Sequence, residues 1–388
     1  MPQWHQSTLR KMTSRIYKIA VVVPKYGLVG GGEKFVQELT ERIASNHRYD
    51  IHVFANKWRL QSDHITFHKV PVISFPKFLT TISFAWFANR KIAKMNFDII
   101  HTHERIFHAD IFTMHGVPHR FWVKKVRRKN MSLFDYGTGW VEKSLINNGK
   151  CRMFLSVSGI ARGKFLQEFH VDPEKVQVIH PGVDINKFDK LDRNICRREI
   201  RKRFGIDETD TVVLFVSMNF ELKGLDNLMV AIALTKAEHP SEKLKLLVVG
   251  KGNEKKYGRL AQKLGIKDDV IFAGVWKDNI EQIYLASDIF AMPSGFDTFG
   301  MVVLEAMSAS LPVIISSNVG AKDLIRDGIN GFVVDREDID LISSKIGFML
   351  DKENRKKMAK EAYKVAEQNT WDRMSEKVLE IYSRITDK

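Results

Sequence analysis

Short apolar segments alternate with longer amphipathic segments along the whole sequence. The apolar segments are continuous and rich in β-branched residues, which is typical of strands buried on both faces of a sheet. In the first half, the predicted strands are Lys18–Val23, Asp50–Ala55, Asp98–Thr102, Ile111–Met114, Met153–Ser156 and Val176–Ile179. In the second half, they are Val212–Val216, Lys245–Val249, Val270–Ala273, Ile289–Met292, Pro312–Ile315 and Phe332–Val334.

The segments between these strands have helical patterns, as at Gly32–Ser45, Gly224–Lys236, Asn253–Leu264 and Asn279–Ala286. An alternation of strand and helix indicates parallel sheets with right-handed connections. Ligands of such sheets bind at the carboxyl ends of the strands. The expected fold class is therefore α/β, with two doubly wound, Rossmann-like domains whose parallel sheets face a central cleft.

The alternation breaks once, after the strand Val176–Ile179. His180–Asp184 contains Pro-Gly, and a charged stretch then runs to Arg203 before the next strand begins. Pro-Gly after a strand, followed by charged residues, is typical of a linker between domains. We therefore expect a first domain at 1–185, a second domain at 186–365, and a C-terminal helix at 366–388 that could cross back to the first domain.

The charge of the 388-residue chain is uneven. Its formal net charge is +15, yet residues 1–185 hold 28 basic and 14 acidic side chains, whereas residues 186–388 hold 33 and 32. The first half of the protein therefore carries almost all of the net positive charge, which favours an anionic partner for that half. Charge alone suggests nucleic-acid binding, but no recognised nucleic-acid-binding module is present, so we expect no nucleic-acid partner.

Cysteine content and apolar runs limit the compartment. Cys151 and Cys196 fit neither a disulfide framework nor a zinc motif, which favours a reducing, cytoplasmic compartment. The longest apolar stretch, Phe78–Ala88, is much shorter than the ~20 residues of a membrane span. Residues 1–15 are polar and basic and lack the apolar core of a secretory signal, so we interpret them as a loose, basic tail.

Two glycine-containing loops follow predicted strands. The first contains Gly30, Gly31 and Gly32 at the start of a helix, where exposed backbone amides and the helix dipole favour an anion. A tight strand-to-helix turn explains this loop equally well. The second runs from Gly295 to the helix Met301–Ser310, where amides could bind a phosphate; these belong to Thr298, Phe299, Gly300, Met301 and Val302.

Three charged residues accompany the second loop. Glu305 lies ~6 Å along the helix from its start and could accept hydrogen bonds from a ribose diol. Asp297 could bind hydroxyls of a second sugar, and Lys223, at the carboxyl end of a strand, is well placed for a diphosphate. Each could instead be an ordinary surface or turn residue. However, Glu305 is the only charged residue between Asp297 and Lys322, which argues against a solvated helix face.

Five histidines fall close together, at His101, His103, His108, His115 and His119. His-x-His on a strand can supply two metal ligands. Strand alternation would turn only some of these side chains the same way, and no cysteine or dense carboxylate cluster completes a ligand set. We therefore expect no metal site, and interpret His115 as a strand-end histidine that faces the cleft.

With these features together, the sequence resembles the retaining glycosyltransferases of family 4, from Lys18 to Ile385. The segments that carry the resemblance are Gly30–Glu33, Asp98–Glu104, His115, His180–Asp184, Lys223-Gly224 and Asp297–Ala306. The stretch Val216–Gly224 looks closest to the lipopolysaccharide core glucosyltransferase I branch. The sequence departs from the family pattern at Asp297, where Glu is usual, at Met218, where most members carry Arg, and at Ser310, where Gly is usual.

The resemblance implies a GT-B fold and a nucleotide-sugar donor held mainly by the second domain. Glu305 would bind the ribose, Asp297 the transferred sugar, and Lys223 the diphosphate together with the amides of 298–302. From the first domain, Gly30 and Gly31 would close over the phosphates, and His115 would contact the sugar near its 6-hydroxyl. Such enzymes retain the anomeric configuration and need neither a metal nor a cofactor besides the donor.

The resemblance also implies UDP-glucose as donor and a lipopolysaccharide-core or other lipid-linked saccharide as acceptor. His119–Lys129 interleaves basic and aromatic residues, as a segment bound to an anionic membrane would. We therefore expect a peripheral enzyme on the cytoplasmic face of the inner membrane. A solvated charged loop is the alternative for this segment. A family 4 mannosyltransferase using GDP-mannose, or a nucleotide-sugar epimerase of the same fold, is the alternative for the activity.

Overall fold

The computed structural model describes residues 15–28, 30–59 and 62–386. Within them, two parallel sheets form two α/β layers whose strands are flanked by helices, as the alternation predicts. All but one of the residues predicted as a loose basic tail, 1–15, lie outside the described part of the chain. Cys151 and Cys196 are both buried as free thiols.

The first sheet contains seven strands of the described residues, in the order β5-β3-β1-β6-β7-β8-β9. Their bounds are β1 Tyr17–Val22, β3 Tyr49–Ala55, β5 Ile65–Lys69, β6 Ile99–Thr102, β7 Ile111–Met114, β8 Met153–Ser156 and β9 Val176–Val178. A separate two-stranded parallel sheet pairs β2 (Lys25–Tyr26) with β4 (Lys57–Trp58). All six predicted strands of the first half are confirmed to within about one residue, whereas β2, β4 and β5 were not predicted.

The second sheet contains six parallel strands, in the order β12-β11-β10-β13-β14-β15. Their bounds are β10 Thr211–Ser217, β11 Leu244–Gly250, β12 Val270–Gly274, β13 Ile289–Met292, β14 Val313–Ser316 and β15 Gly331–Val334. Each one was predicted. In both sheets the order of strands reverses at a central strand, β1 or β10, which is where doubly wound sheets open a crevice.

The helices cover both faces of the sheets. Around the first sheet they are α1 Gly31–Ala44, α2 Leu79–Ile92, α3 His119–Phe121, α4 Leu133–Asn147 and α5 Gly159–Glu168, with a π-helical turn at Trp122–Val126. Those that follow are α6 Asn186–Asp189, α7 Arg193–Phe204, α8 Leu225–Glu238, α9 Glu254–Lys263, α10 Glu281–Ala286, α11 Met301–Ser308, α12 Ile339–Phe348, α13 Lys352–Gln368 and α14 Trp371–Thr386. Short 3₁₀ turns lie at Pro173–Lys175, Lys267–Asp269 and Gly320–Leu324.

Strand β1 shows how a strand is buried on both faces of the sheet. Ile19 and Val21 belong to one apolar cluster, and Ala20 and Val22 to another on the opposite face of the sheet. All four side chains are at most 2% exposed. Continuous apolar runs therefore do mark strands covered on both sides here. Strand β5 was not predicted because it is an edge strand. Its Thr66, Phe67 and His68 are at least partly exposed, so polar and apolar residues are mixed in its sequence.

Helix α14 packs against the first sheet, although it follows the second domain in sequence. Trp371 is fully buried, and its ring lies 6.0 Å from that of Phe35 in α1. Arg42 of α1 donates to Asp372 at 2.5 Å. This helix therefore covers one face of the first sheet and ties the two ends of the chain together.

The apolar stretch Phe78–Ala88 lies mainly in α2, where Phe84, Ala85 and Ala88 are buried. The opposite side of α2 exposes Trp86 to 48%. None of the helices in the described part of the chain is both long enough and apolar enough to cross a membrane.

Candidate active site

A cleft of about 420 Å³ lies between the carboxyl ends of the two sheets. The first domain contributes Gly31, Gly32, Phe35, His115, Val157 and Pro181. The second contributes Val216, Ser217, Met218, Asn219, Lys223, Met292, Asp297 and the run Thr298–Val302. The structure thus brings most of the sequence-predicted site residues together, while Gly30 and Glu305 lie beside the cleft rather than in its lining.

Helix α11 points its N-terminus into the cleft. Gly300 caps it with φ of 90°, and a Cβ at this position would lie 2.9 Å from Val319 Cγ1, so glycine is required for the turn. The amides of Met301 and Val302 belong to the first turn and have no acceptor within the helix. Together with the helix dipole, they make this end of the cleft favourable for an anion.

Helix α1 brings a second N-terminus to the same place. A Cβ on Gly31 would lie 3.3 Å from Met301 Sδ, and a Cβ on Gly32 would lie 3.4 Å from the His115 ring. Gly31 therefore lets α1 approach α11 closely across the cleft, and Gly32 lets α1 approach His115. Gly30 is the N-cap residue of α1, and its missing side chain would collide with the Glu33 carboxylate rather than point into the cleft.

Lys223 and Asp297 form an ion pair at the cleft wall. Lys223 Nζ also donates to the Phe296 carbonyl at 3.2 Å, and Asp297 Oδ1 accepts from the Phe299 amide at 3.2 Å. Both side chains are about four-fifths buried. The ammonium group has three N–H donors, so two protein acceptors leave one donor for a ligand.

Glu305 is held by residues from both domains. Its Oε1 lies 3.3 Å from Lys34 Nζ of α1, and its Oε2 accepts from the Tyr284 hydroxyl at 3.0 Å. Burial lowers the pKa of Lys34, but the carboxylates of Glu305, Glu38 and Glu281 together outweigh burial and leave that pKa raised. Burial and Glu305 raise the pKa of Tyr284 well above its usual value, so its hydroxyl remains a donor.

His115 follows β7 and faces the cleft. Its Nε2 lies 3.0 Å from His103 Nδ1, its ring packs edge-on against Phe35 at 4.9 Å, and its carbonyl accepts from Thr298 Oγ1 at 3.0 Å. Burial lowers the pKa of His115 to about 4, because the charged imidazolium loses its hydration. The side chain is therefore a neutral imidazole at neutral pH.

His101 and His119 also bond to residues outside the group of clustered histidines. His101 bonds to Tyr382 of α14 at 2.6 Å and to Thr113 at 2.7 Å, and His119 bonds to Asp135 at 2.9 Å. In the described part of the chain, no group of three or more His, Cys, Asp or Glu side chains is arranged to hold a metal ion.

The segment His119–Lys129 has two different sides. The rings of Phe121 and Trp122 lie 6.5 and 6.1 Å from that of Phe296, so the aromatic residues pack toward the second domain. The basic residues are exposed; they are Arg120, Lys124, Lys125, Arg127, Arg128 and Lys129. The interleaved pattern thus separates an interdomain contact from a basic surface.

Sequence reasoning did not identify Lys34, Tyr284 or His103 as parts of the site. Lys34 meets Glu305 across 271 positions of sequence, and nothing in the local pattern around either residue indicates that contact. His103 belongs to the His-x-His pattern at the end of β6, but this pattern does not indicate its bond to His115. Ser158 and Asp323 were also missed, and they join the domains through Thr298 and Gly159.

Two family models match the chain. The model described as Glycosyltransferase Family 4 matches residues 29–187, and the model described as Glycosyl transferases group 1 matches residues 196–365. Together they include every residue that lines the cleft.

Similar curated proteins are also named as glycosyltransferases. An uncharacterized glycosyltransferase, MJ1607, from Methanocaldococcus jannaschii is 26% identical over 94% of this chain and 97% of its own length. A D-inositol 3-phosphate glycosyltransferase from Salinispora arenicola is 32% identical, but the match covers 57% of this chain and 52% of that relative. The chain thus spans about half the length of the second relative.

Solved structures show the same fold. WaaG, a glycosyltransferase involved in lipopolysaccharide biosynthesis, matches 95% of this chain and 100% of its own with a TM-score of 0.76 at 21% identity. Anabaena Alr3699/HepE in complex with UDP and glucose matches 95% of this chain and 100% of its own, with a TM-score of 0.70 at 19% identity. From the two family models and this architecture, the chain belongs to the glycosyltransferases of GT-B type, as its sequence motifs predict.

Proposed function

We propose that the protein is a retaining hexosyltransferase that moves glucose from UDP-glucose to a lipopolysaccharide-core or other lipid-linked saccharide. The observation that carries the proposal is the convergence of two helix N-termini and Lys223 on one cleft, with Glu305 beside it. This set suits a sugar–nucleoside diphosphate. The fold likeness to WaaG, and to HepE in complex with UDP and glucose, supports the choice of acceptor class and donor.

In this proposal the diphosphate lies between the N-termini of α1 and α11. The amides of 298–302 and the remaining N–H of Lys223 donate to it, and they stabilise the charge that grows as the glycosidic bond breaks. Lys223 and Asp297 form an ion pair and therefore lie side by side. The lysine can thus contact the diphosphate while the aspartate contacts the adjoining transferred sugar. These cationic and dipolar groups supply the charge stabilisation, so we propose that transfer needs no metal.

His115 would contact the hexose as a neutral group. At neutral pH its imidazole can donate or accept one hydrogen bond without adding charge, which suits a sugar hydroxyl. The acceptor would attack from the side on which the nucleotide departs, which gives retention. Contacts between the domains at Phe296 and Glu305 would exclude water from the cleft and suppress hydrolysis of the donor.

Thermal shift with a panel of nucleotide sugars tests the donor. A ligand that binds the folded state alone raises the melting temperature in proportion to the logarithm of its concentration over Kd. We expect the largest shift from UDP-glucose and a smaller shift from GDP-mannose or ADP-glucose at equal concentration. A larger shift from GDP-mannose would replace the proposed donor, and no shift from any nucleotide sugar would contradict the cleft as donor site.

The basic first domain would place the enzyme on an anionic membrane that carries its acceptor. Next to the exposed basic residues of 119–129, several large apolar side chains are also exposed; they are Leu133 at 75%, Tyr136 at 64% and Trp140 at 55%. Basic residues attract anionic lipid, and exposed aromatic residues suit the membrane interface. In vesicle sedimentation we expect stronger binding to anionic than to neutral lipid, and equal binding to both would contradict the membrane proposal.

A further inference from the structure

We propose that Tyr284 and Lys34 are positioning residues that orient the Glu305 carboxylate to bind a vicinal diol. The same carboxylate would then contact both the ribose and Lys34 of the first domain. The inference rests on the proposed donor site, in which Glu305 binds the ribose. It concerns two residues that lie outside the lining of the cleft and act through a third.

The first step is the number of acceptor positions on Glu305. An ionised carboxylate has two oxygens with about four lone-pair positions. Tyr284 occupies one position on Oε2 at 3.0 Å, and Lys34 occupies one on Oε1 at 3.3 Å. One position on each oxygen remains, which matches the two hydroxyl donors of a vicinal diol. The two protein contacts and the diol would therefore bind together rather than compete.

The second step is the rigidity of Tyr284. Its side chain is fully buried, and its ring packs between those of Phe188 at 6.1 Å and Phe290 at 6.4 Å. The hydroxyl therefore has little freedom to follow a moving partner. Because the bond holds Oε2, it sets the rotation of the carboxylate plane, and a bidentate contact to a diol depends on that rotation.

The third step is the origin of Lys34. It lies in the first turn of α1, whereas Glu305 and Tyr284 lie in the second domain. Lys34 can reach Glu305 when the domains approach as they do in this structure. A carboxylate without this cation would lose one of its two fixed contacts, so recognition of the ribose would become weaker when the cleft opens.

The experiment compares UDP with 2′-deoxy-UDP by calorimetric titration of the full chain. We expect the unmodified protein to prefer UDP by ~10-fold or more, the size typical of a hydrogen bond to a charged group. Tyr284→Phe and Lys34→Met should each reduce this preference to below ~3-fold. In a Glu305→Gln background, neither substitution should change the preference further, because all three residues act through one carboxylate.

Matched controls separate positioning from a general loss of structure. Tyr363→Phe removes a tyrosine hydroxyl that also donates to a carboxylate, Asp189, outside the cleft. Lys245→Met removes a lysine paired with Asp269, also outside the cleft. Both controls should keep the preference of the unmodified protein for UDP. A merely structural effect of Tyr284→Phe would lower the melting temperature and weaken UDP and 2′-deoxy-UDP equally.

The outcomes distinguish this inference from the proposed function. If Glu305→Gln keeps the full preference for UDP, Glu305 is not the ribose ligand and the proposed donor site is wrong. If Glu305→Gln abolishes the preference but Tyr284→Phe and Lys34→Met both retain it, the donor site stands and the positioning inference is overturned. If UDP does not bind but GDP does, the same titrations with GDP and 2′-deoxy-GDP decide the inference, because the ribose is common to both.

Discussion

The two domains share an architecture but differ in charge and in polar content. Both are parallel sheets covered by helices, yet residues 1–185 carry a net charge of +14 and twelve of the thirteen histidines, whereas residues 186–388 carry +1 and one histidine. The second domain supplies Lys223, Asp297 and the α11 N-terminus to the cleft, and Glu305 beside it. The shared fold therefore does not explain how the two domains differ. The difference lies in the side chains at the strand ends and on the surface.

Most of the charged residues proposed to bind the donor lie in the second domain, which is nearly neutral. A large positive field is unnecessary there, because one lysine and two helix N-termini already face the site of the diphosphate. The field of the first domain extends over its surface, where it would act on a membrane or a phosphorylated glycolipid. In the proposed function, the charge of the first domain therefore concerns binding to a membrane more than catalysis.

The largest expected effect is in the second domain. Lys223→Ala and Glu305→Ala should each reduce kcat/KM for transfer more than ~100-fold, since a preorganised contact to the leaving nucleotide is worth ~3 kcal/mol. The measurement is release of UDP from UDP-glucose at varied donor concentration. Lys356→Ala, on the exposed face of α13, is the control and should behave as the unmodified protein. Near-normal turnover in either cleft variant would show that the donor site lies elsewhere.

Charge reversal in the first domain tests whether its exposed basic residues bind an anionic membrane. The variant changes five exposed residues to Glu: Lys124, Lys125, Arg127, Arg128 and Lys129. We expect binding to anionic vesicles to fall more than tenfold, because each basic residue near such a surface contributes ~1 kcal/mol, while the Kd for UDP stays unchanged.

The control for this variant has the same change of charge in the second domain. It changes five exposed lysines to Glu: Lys255, Lys267, Lys352, Lys356 and Lys357. Vesicle binding should be nearly retained. If both variants lose vesicle binding equally, net charge alone is responsible and the first domain has no membrane face of its own.

The buried histidines predict a pH dependence of stability that arises in the first domain. Burial lowers the pKa of His101 to about 3 and that of His115 to about 4, and it lowers the pKa of His103 well below 6.5. Below pH 6.5 the unfolded chain takes up protons that the folded chain refuses, so stability falls as pH falls. Each such histidine lowers the unfolding free energy by up to ~1.4 kcal/mol per pH unit.

Denaturant unfolding between pH 7 and pH 5 measures this effect. His101→Gln removes one of the buried histidines and should make the dependence on pH less steep, whatever its effect on stability at pH 7. An unfolding free energy that does not change between pH 7 and pH 5 would mean that these histidines are not held neutral in the folded state.

The smallest expected effect concerns the end of α11. Ser310 has φ of 54°, in the left-handed region that favours glycine, directly after the helix. Ser310→Gly should therefore stabilise the protein by ~1 kcal/mol, measured as a rise in the midpoint of denaturant unfolding. Ser308→Gly is the matched control, because Ser308 lies within the helix and glycine there should destabilise it by a similar amount.

Much of this architecture could be predicted because it depends on local patterns. Continuous apolar runs predicted the buried strands, and the glycines at the starts of α1 and α11 predicted loops that line the cleft, beside which Glu305 lies. Contacts between distant segments could not be predicted. The pairs Lys34–Glu305 and His101–Tyr382 are separated by 271 and 281 positions, and no local pattern encodes them. Likewise, the interleaving of Phe121 and Trp122 with basic residues does not reveal that their rings meet Phe296.

The anomer first formed from UDP-glucose, with water in place of the acceptor, tests most directly whether the protein is a retaining glucosyltransferase. Time-resolved proton NMR of slow donor hydrolysis identifies this anomer before mutarotation mixes the forms. We expect α-glucose and UDP in equal amounts, since the donor is an α-glucoside and transfer retains its configuration. Release of β-glucose would contradict retention, and an epimerised nucleotide sugar without release of UDP would contradict glycosyl transfer.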